Sequence, residues 1–78
     1  MTAQTTDLLD RWAKLKAEPH MDENERENLL RELRLWRGEW AQTLKGMSSD
    51  EGRNAMEEMY AKEVAEVDAA IAEIQATQ

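Results

Sequence analysis

Large apolar residues in the last third of the chain recur at alternating intervals of four and three, and this spacing constrains the fold more than any other feature. The pattern is carried by Tyr60, Val64, Val67, Ile71 and Ile74. Intervals of four and three place side chains on one face of an α-helix, whereas a strand would scatter them over both faces. The spacing therefore predicts a long amphipathic helix over residues 49–76.

Two further helices are indicated by the same kind of spacing. Residues 22–45 carry an apolar seam, and residues 6–18 carry a shorter stripe; the seam consists of Leu29, Leu33, Trp36 and Trp40, and the stripe of Leu8, Trp12 and Leu15. Thr5 or Thr6 is expected to cap the first helix. Pro19 separates the first two helices, and Gly46, expected in a left-handed conformation, ends the second. The chain has only four β-branched apolar residues, two Val and two Ile, so its composition also favours helix over strand.

The unequal helix lengths predict the architecture. We expect an all-α, small helical bundle in one domain, residues 1–78, in which helices 2 and 3 form a long antiparallel hairpin and short helix 1 lies across one end. Eleven of the hydrophobic residues are alanines, which leaves few large side chains for a core. A monomer would expose part of the hairpin, so a homodimer is expected to cover the remainder.

The net charge of −7 is concentrated in the last helix. Residues 47–78 carry a charge of −6, residues 19–46 carry −1 and residues 1–18 are neutral. A candidate acidic surface on helix 3 consists of Glu57, Glu58, Glu63, Glu66 and Glu73. Such a surface repels nucleic acid and anionic membranes and attracts basic partners, so we expect neither direct nucleic-acid binding nor membrane binding. It is also consistent with plain solvation of a long helix.

The sequence offers no combination of residues that supports catalysis. It has no cysteine, and its single histidine, His20, lies in the turn at Pro19. The three glycines are isolated and form no phosphate-binding loop. We therefore expect no enzyme activity, no catalytic residues, no metal site and no cofactor.

The tryptophans and the arginines near them are the candidate contacts with a protein partner. Tryptophan and arginine are enriched among the residues that dominate interface energies, and both types are frequent in residues 31–40. The candidate partner-binding residues are Trp12, Arg34, Trp36, Arg37, Trp40 and Tyr60. The alternative is that Trp36 and Trp40 fill the space between helices 2 and 3 while Trp12 docks helix 1.

These features predict a non-catalytic protein-binding module, a small acidic adaptor or inhibitor of another protein. At the level of class only, its size and acidity resemble the small helical inhibitors and adaptors that phages and mobile elements encode against host proteins. One alternative is an acidic DNA mimic that acts through helix 3, and another is a structural protein that assembles with itself. Without cysteine, and without an apolar run or a signal-like N-terminus, the chain is expected in the cytoplasm.

Overall fold

The computed structural model describes residues 2–77 and places most of them in three helices. The helices are α1, Ala3–Ala17; α2, Glu23–Lys45; and α3, Asp50–Ala76. No strand occurs within residues 2–77, so the prediction of an all-helical chain is confirmed. The ends of α2 and α3 lie within one residue of the predicted positions.

The start of α1 differs from the predicted start at residue 6. Thr2 is the N-cap, and its hydroxyl accepts a hydrogen bond from the Thr5 backbone N–H at 3.3 Å. The prediction of Thr5 or Thr6 as the cap is therefore wrong. The Thr5 side chain is fully buried instead and lies 2.8 Å from the Thr2 hydroxyl, so both threonines fix the first turn.

The other two helices begin at side-chain caps. Asp22 accepts hydrogen bonds from the backbone N–H groups of Asn24 and Glu25, and Ser49 accepts one from Gly52 at 3.2 Å. These contacts satisfy backbone donors that the first turn of a helix leaves without partners. The caps account for the close agreement between the predicted and the observed starts.

Gly46 ends α2 in a right-handed conformation, with φ −76° and ψ −9°. The expected left-handed conformation is therefore wrong. The Gly46 N–H donates to the Gln42 carbonyl at 3.0 Å, which extends the helical hydrogen bonding by one residue before the chain turns. The turn to α3 thus needs no positive φ angle at this glycine.

The hydrophobic core lies in one half of the molecule. Its buried side chains come from all three helices: Leu8, Trp12 and Leu15 of α1, Leu29, Leu30 and Leu33 of α2, and Val67, Ala70 and Ile74 of α3. Helix α1 contacts both α2 and α3. The core therefore forms where three helices meet, and α1 supplies one third of its buried residues.

The other half of the α2–α3 pair has no comparable core. Between residues 34 and 66 no hydrophobic side chain is fully buried, and Leu35 and Met59 are 62% and 72% exposed. The molecule measures 47 × 19 × 17 Å, so it is elongated. Two helices alone cannot enclose large side chains from every side, and α1 does not extend over this half.

Candidate protein-binding site

Trp12, predicted as a partner contact, is part of the core. It is 4% exposed, and its indole N–H donates to the Glu73 carboxylate at 2.6 Å. Lys16 also donates to this carboxylate at 3.2 Å, and its ammonium lies 5.6 Å from the centre of the Trp12 ring. The Trp12 hydrogen bond, and then Lys16, hold the pKa of Glu73 below its ordinary value. Trp12 and Glu73 therefore attach α1 to α3, and the prediction of Trp12 as an accessible contact is wrong.

Glu63, predicted as part of an exposed acidic surface, is 4% exposed. Its carboxylate accepts a hydrogen bond from the Thr2 backbone N–H at 2.6 Å. A buried carboxylate needs such a donor, because its desolvation is costly without one. The placement of Glu63 on the exposed surface is therefore wrong, and the residue fixes the N-terminus of α1 on α3.

The remaining predicted charged residues range from exposed to half-buried, and Glu73 itself is exposed. Glu57 and Glu58 are exposed, whereas Glu66 is half-buried. On α2, Arg34 is exposed, and half-buried Arg37 donates to the Asp68 carboxylate of α3 at 3.0 Å. The partner contacts at Arg34 and Arg37, and the acidic surface formed by Glu57, Glu58 and Glu66, stay predictions.

The other three predicted contacts form an aromatic cluster where α1 no longer covers the α2–α3 pair. Trp36 and Trp40 stack with ring centres 6.4 Å apart and planes inclined by 14°. The Tyr60 ring meets Trp40 edge-on at 5.1 Å. All three side chains are half-buried, so each keeps an accessible surface. The structure thus brings together Trp36, Trp40 and Tyr60, and Trp36 also packs against the edge of the core.

This cluster forms the floor of a cleft of about 300 Å³, which we call the aromatic groove. Its lining residues are Thr2, Gln4, Trp36, Glu39, Trp40, Thr43, Met56 and Tyr60. The first two belong to the N-terminus of α1 and bound one end of the groove. The groove is therefore the part of the α2–α3 surface that begins where α1 stops.

A second cleft, of about 380 Å³, is formed by other residues of α2 and α3, and we call it the alanine face. It is lined by Arg37, Trp40, Leu44, Glu57, Ala61, Val64, Ala65 and Asp68. Its α2 residues include a cation and its α3 residues include two carboxylates. Only Trp40 lines both clefts, so the two surfaces can bind different partners.

Sequence reasoning missed Glu39, Thr43 and Met56 as lining residues of the aromatic groove. Their spacing carried a signal, because Glu39 and Thr43 lie three and seven residues after Trp36 and therefore on the same side of α2. Met56 lies four residues before Tyr60. The spacing alone does not show which side of the apolar seam of α2 is left uncovered by α1, and this information is needed to assign the lining residues.

Other parts of the described chain offer less to a partner or ligand. A cleft of about 410 Å³ between α1 and α2 is lined mainly by charged side chains that include Arg11, Lys14 and Glu25. Residues 2–77 contain no group of three or more His, Cys, Asp or Glu side chains placed to hold a metal ion. Over the same residues, none of the helices combines the length and the apolar character required to cross a membrane.

Comparison with known proteins identifies no relative. The chain matches no protein-family model, and neither a curated protein nor a solved structure is detectably similar to it.

Proposed function

We propose that this protein is a non-catalytic protein-binding module and that the aromatic groove is its docking surface. The observation that carries this proposal is the pair Trp36 and Trp40, stacked yet only half-buried at the end of the hairpin that α1 leaves uncovered. Trp36 packs against the edge of the core, yet both indole rings keep accessible apolar surface that no other part of the described chain covers. They are the side chains that most often dominate the energy of a protein interface.

The surroundings of the aromatic pair also favour a protein partner. Met56 adds an adaptable apolar side chain, while Glu39 and Thr43 supply polar atoms at the edge. An apolar centre with a polar rim is the usual arrangement of an interface between proteins. The groove is open and shallow, which suits a protein surface better than an enclosed small molecule.

Affinity capture from a cell extract with paired variants tests this proposal. Trp36→Ala and Tyr60→Ala should each abolish recovery of a stoichiometric partner, because they remove the floor of the groove. Leu35→Ala is the matched control, since Leu35 is 62% exposed on α2 and does not line the groove. Circular dichroism verifies that each variant is folded. Equal recovery by the Trp36 and Leu35 variants would contradict the proposal.

The DNA-mimic alternative receives less support. Mimicry requires rows of accessible carboxylates, but Glu63 is buried beneath Thr2 and Glu73 is bonded to Trp12 and Lys16. Burial removes Glu63 from the candidate acidic surface, and Glu73, although exposed, is already engaged by Trp12 and Lys16. We therefore favour an apolar docking surface and do not propose mimicry.

We also propose that α2 and α3 form an antiparallel hairpin. Three contacts support this arrangement, because residues later in α2 contact residues earlier in α3. Arg26 donates to the carbonyl of Thr77 just after α3, Arg37 donates to Asp68, and Trp40 contacts Tyr60. As the residue number increases along α2, the number of its partner decreases. Distances between pairs of spin labels at exposed positions of α2 and α3 would measure the relative direction of the two helices directly.

Self-association through the alanine face is a second proposal, favoured by the charges beside that face. Arg34 and Arg37 lie on α2, whereas Glu57 and Asp68 lie on α3. Arg37 and Asp68 pair within the chain, so Arg34 and Glu57 are the charges that would meet between two copies. A two-fold arrangement of two copies would place α2 of each copy against α3 of the other, so the basic edge would meet the acidic edge. The exposed alanines of α3, Ala61 among them, allow a close approach.

Sedimentation at increasing concentration tests self-association of this 9.0 kDa chain. The expected dimer should weaken in Arg34→Glu and in Glu57→Arg, and the double variant should restore it. A particle of monomer mass at high micromolar concentration would contradict this proposal. That result would leave the aromatic groove available as a docking surface.

A further inference from the structure

We infer that the aromatic groove takes a short amphipathic helix of a partner protein, with an apolar stripe and a basic residue on the edge that faces α2. This inference rests on the proposed function, because it states the chemistry of the partner of the same site. Helix α1 is an example of such a helix within the chain, because it packs against both α2 and α3 and its N-terminal residues Thr2 and Gln4 lie beside the groove.

The way in which α1 is held shows what the α2–α3 surface accepts. Leu8, Trp12 and Leu15 form an apolar stripe that is buried in the core. On the α2 side of this stripe, Arg11 donates to the Glu32 carboxylate at 2.6 Å. A helix is therefore held by apolar side chains along its middle and by a cation on its α2-facing edge, the usual mode of helix-in-groove recognition.

The aromatic groove repeats this surface one heptad farther along the hairpin. On α2, Trp36 follows Leu29 and Glu39 follows Glu32 by seven residues each. Seven residues are close to two helical turns, so each pair lies on the same side of α2. The open half thus presents an apolar floor with a carboxylate on the α2 edge, as the occupied half does.

The groove also sets the size and polarity of the incoming helix. Trp36 and Thr43 are seven residues apart, which corresponds to ~10 Å along α2 and about two turns of a bound helix. Exposed Glu39 lines the groove, and the net charge of the chain is −7. Electrostatic complementarity therefore favours a basic residue opposite Glu39.

Titration of the ¹⁵N-labelled full chain with a synthetic peptide tests this inference. The peptide reproduces residues 2–18, because its stripe and Arg11 already fit one half of the surface. The indole N–H signals of Trp36 and Trp40 should shift, while the signal of Trp12 should stay unchanged. Leu35→Ser in the chain is the matched control and should leave the shifts unaltered.

A charge exchange tests the predicted edge contact. Replacing Arg11→Glu in the peptide, or Glu39→Arg in the chain, should weaken binding about fivefold because each removes an exposed ion pair. Combining the two replacements should restore the affinity. Equal affinities in all four combinations would overturn the predicted basic edge.

Three results of the titration would overturn the inference. The first is the absence of any indole shift. The second is a shift of the Trp12 signal, which would report exchange of the peptide with α1. The third is broadening of the Trp36 and Trp40 signals with chain concentration alone, which would assign the groove to a second copy. If the peptide fails while affinity capture still depends on Trp36 and Tyr60, the partner does not present a helix with this stripe and basic edge, but the proposed protein-binding function stands. If capture is also indifferent to these residues, both are wrong.

Discussion

At the scale of single residues, the contacts that attach α1 to α3 decide how much of the α2–α3 pair is covered. Thr2 donates its backbone N–H to Glu63, and Trp12 donates its indole N–H to Glu73, both at 2.6 Å. The two glutamates lie ten residues apart on α3, so together they fix both the position and the direction of α1. The aromatic groove begins beside the contact between Thr2 and Glu63.

Stability should depend on pH through Glu73. Its lowered pKa means that the folded state favours the ionised carboxylate. This contribution is complete above the pKa of the unfolded chain, about 4.3 for glutamate, and is lost as the pH falls through the lower folded value. Glu73→Gln should therefore lower the free energy of unfolding at neutral pH and reduce its decline in acid, as measured by urea denaturation.

The control for this pH dependence is Glu58→Gln, because Glu58 is an exposed carboxylate on the same helix. It should change neither the stability at neutral pH nor the acid dependence by a measurable amount. An identical response of the two variants would contradict the role assigned to Glu73.

Removal of the buried carboxylate at Glu63 should destabilise the fold. Glu63→Ala leaves the Thr2 N–H without its acceptor and should cost about 1–3 kcal/mol in the free energy of unfolding. Glu63→Gln keeps an acceptor oxygen and should cost less. Urea denaturation of both variants measures the difference, and an alanine variant as stable as the original chain would contradict the contact.

At the scale of the helices, the periodicity predicts which face of each helix is apolar but not how far a neighbouring helix covers it. Val67 and Ile74 are fully buried, whereas Tyr60, at the same repeat in α3, is half-buried. All three satisfy the same spacing, and their burial differs because α1 covers only one half of the α2–α3 pair. Coverage depends on contacts between distant parts of the chain, which local spacing does not encode.

Burial of Glu63 was beyond prediction for a similar reason. Glu63 lies seven residues after Met56 and seven before Ala70, which places it on the side of α3 that faces α1. Its acceptor role, however, depends on a backbone N–H sixty-one residues away in sequence. The caps at Asp22 and Ser49 were within reach of prediction, because their hydrogen bonds connect residues no more than three positions apart.

Gly38 in the interior of α2 should tolerate a side chain. A Cβ atom built at Gly38 has no neighbour within 4 Å, so Gly38→Ala should stabilise the folded chain by about 0.5–1 kcal/mol through its better helix propensity. Thermal unfolding measures the change. A loss of stability would show that another backbone packs against Gly38, as it would if the measured species were a dimer closed at this position.

At the scale of the whole molecule, a three-helix end carries the core and a two-helix end carries the aromatic groove. The two ends should differ in local stability, because amides near well-packed side chains exchange only when that packing opens. Amides of Leu33, Val67 and Ile74 should exchange slowest, and those of Trp40 and Tyr60 faster. Hydrogen exchange followed by NMR checks this order, and uniform protection along α2 and α3 would contradict it.

Hydrogen exchange of the chain alone, and then with the partner recovered by affinity capture, tests directly whether the aromatic groove is the docking surface. We expect added protection only in the segments around Trp36–Thr43 of α2 and Met56–Tyr60 of α3, with α1 unchanged. Protection gained along α1, or none at the aromatic groove, would show that the partner binds elsewhere and would contradict the central claim.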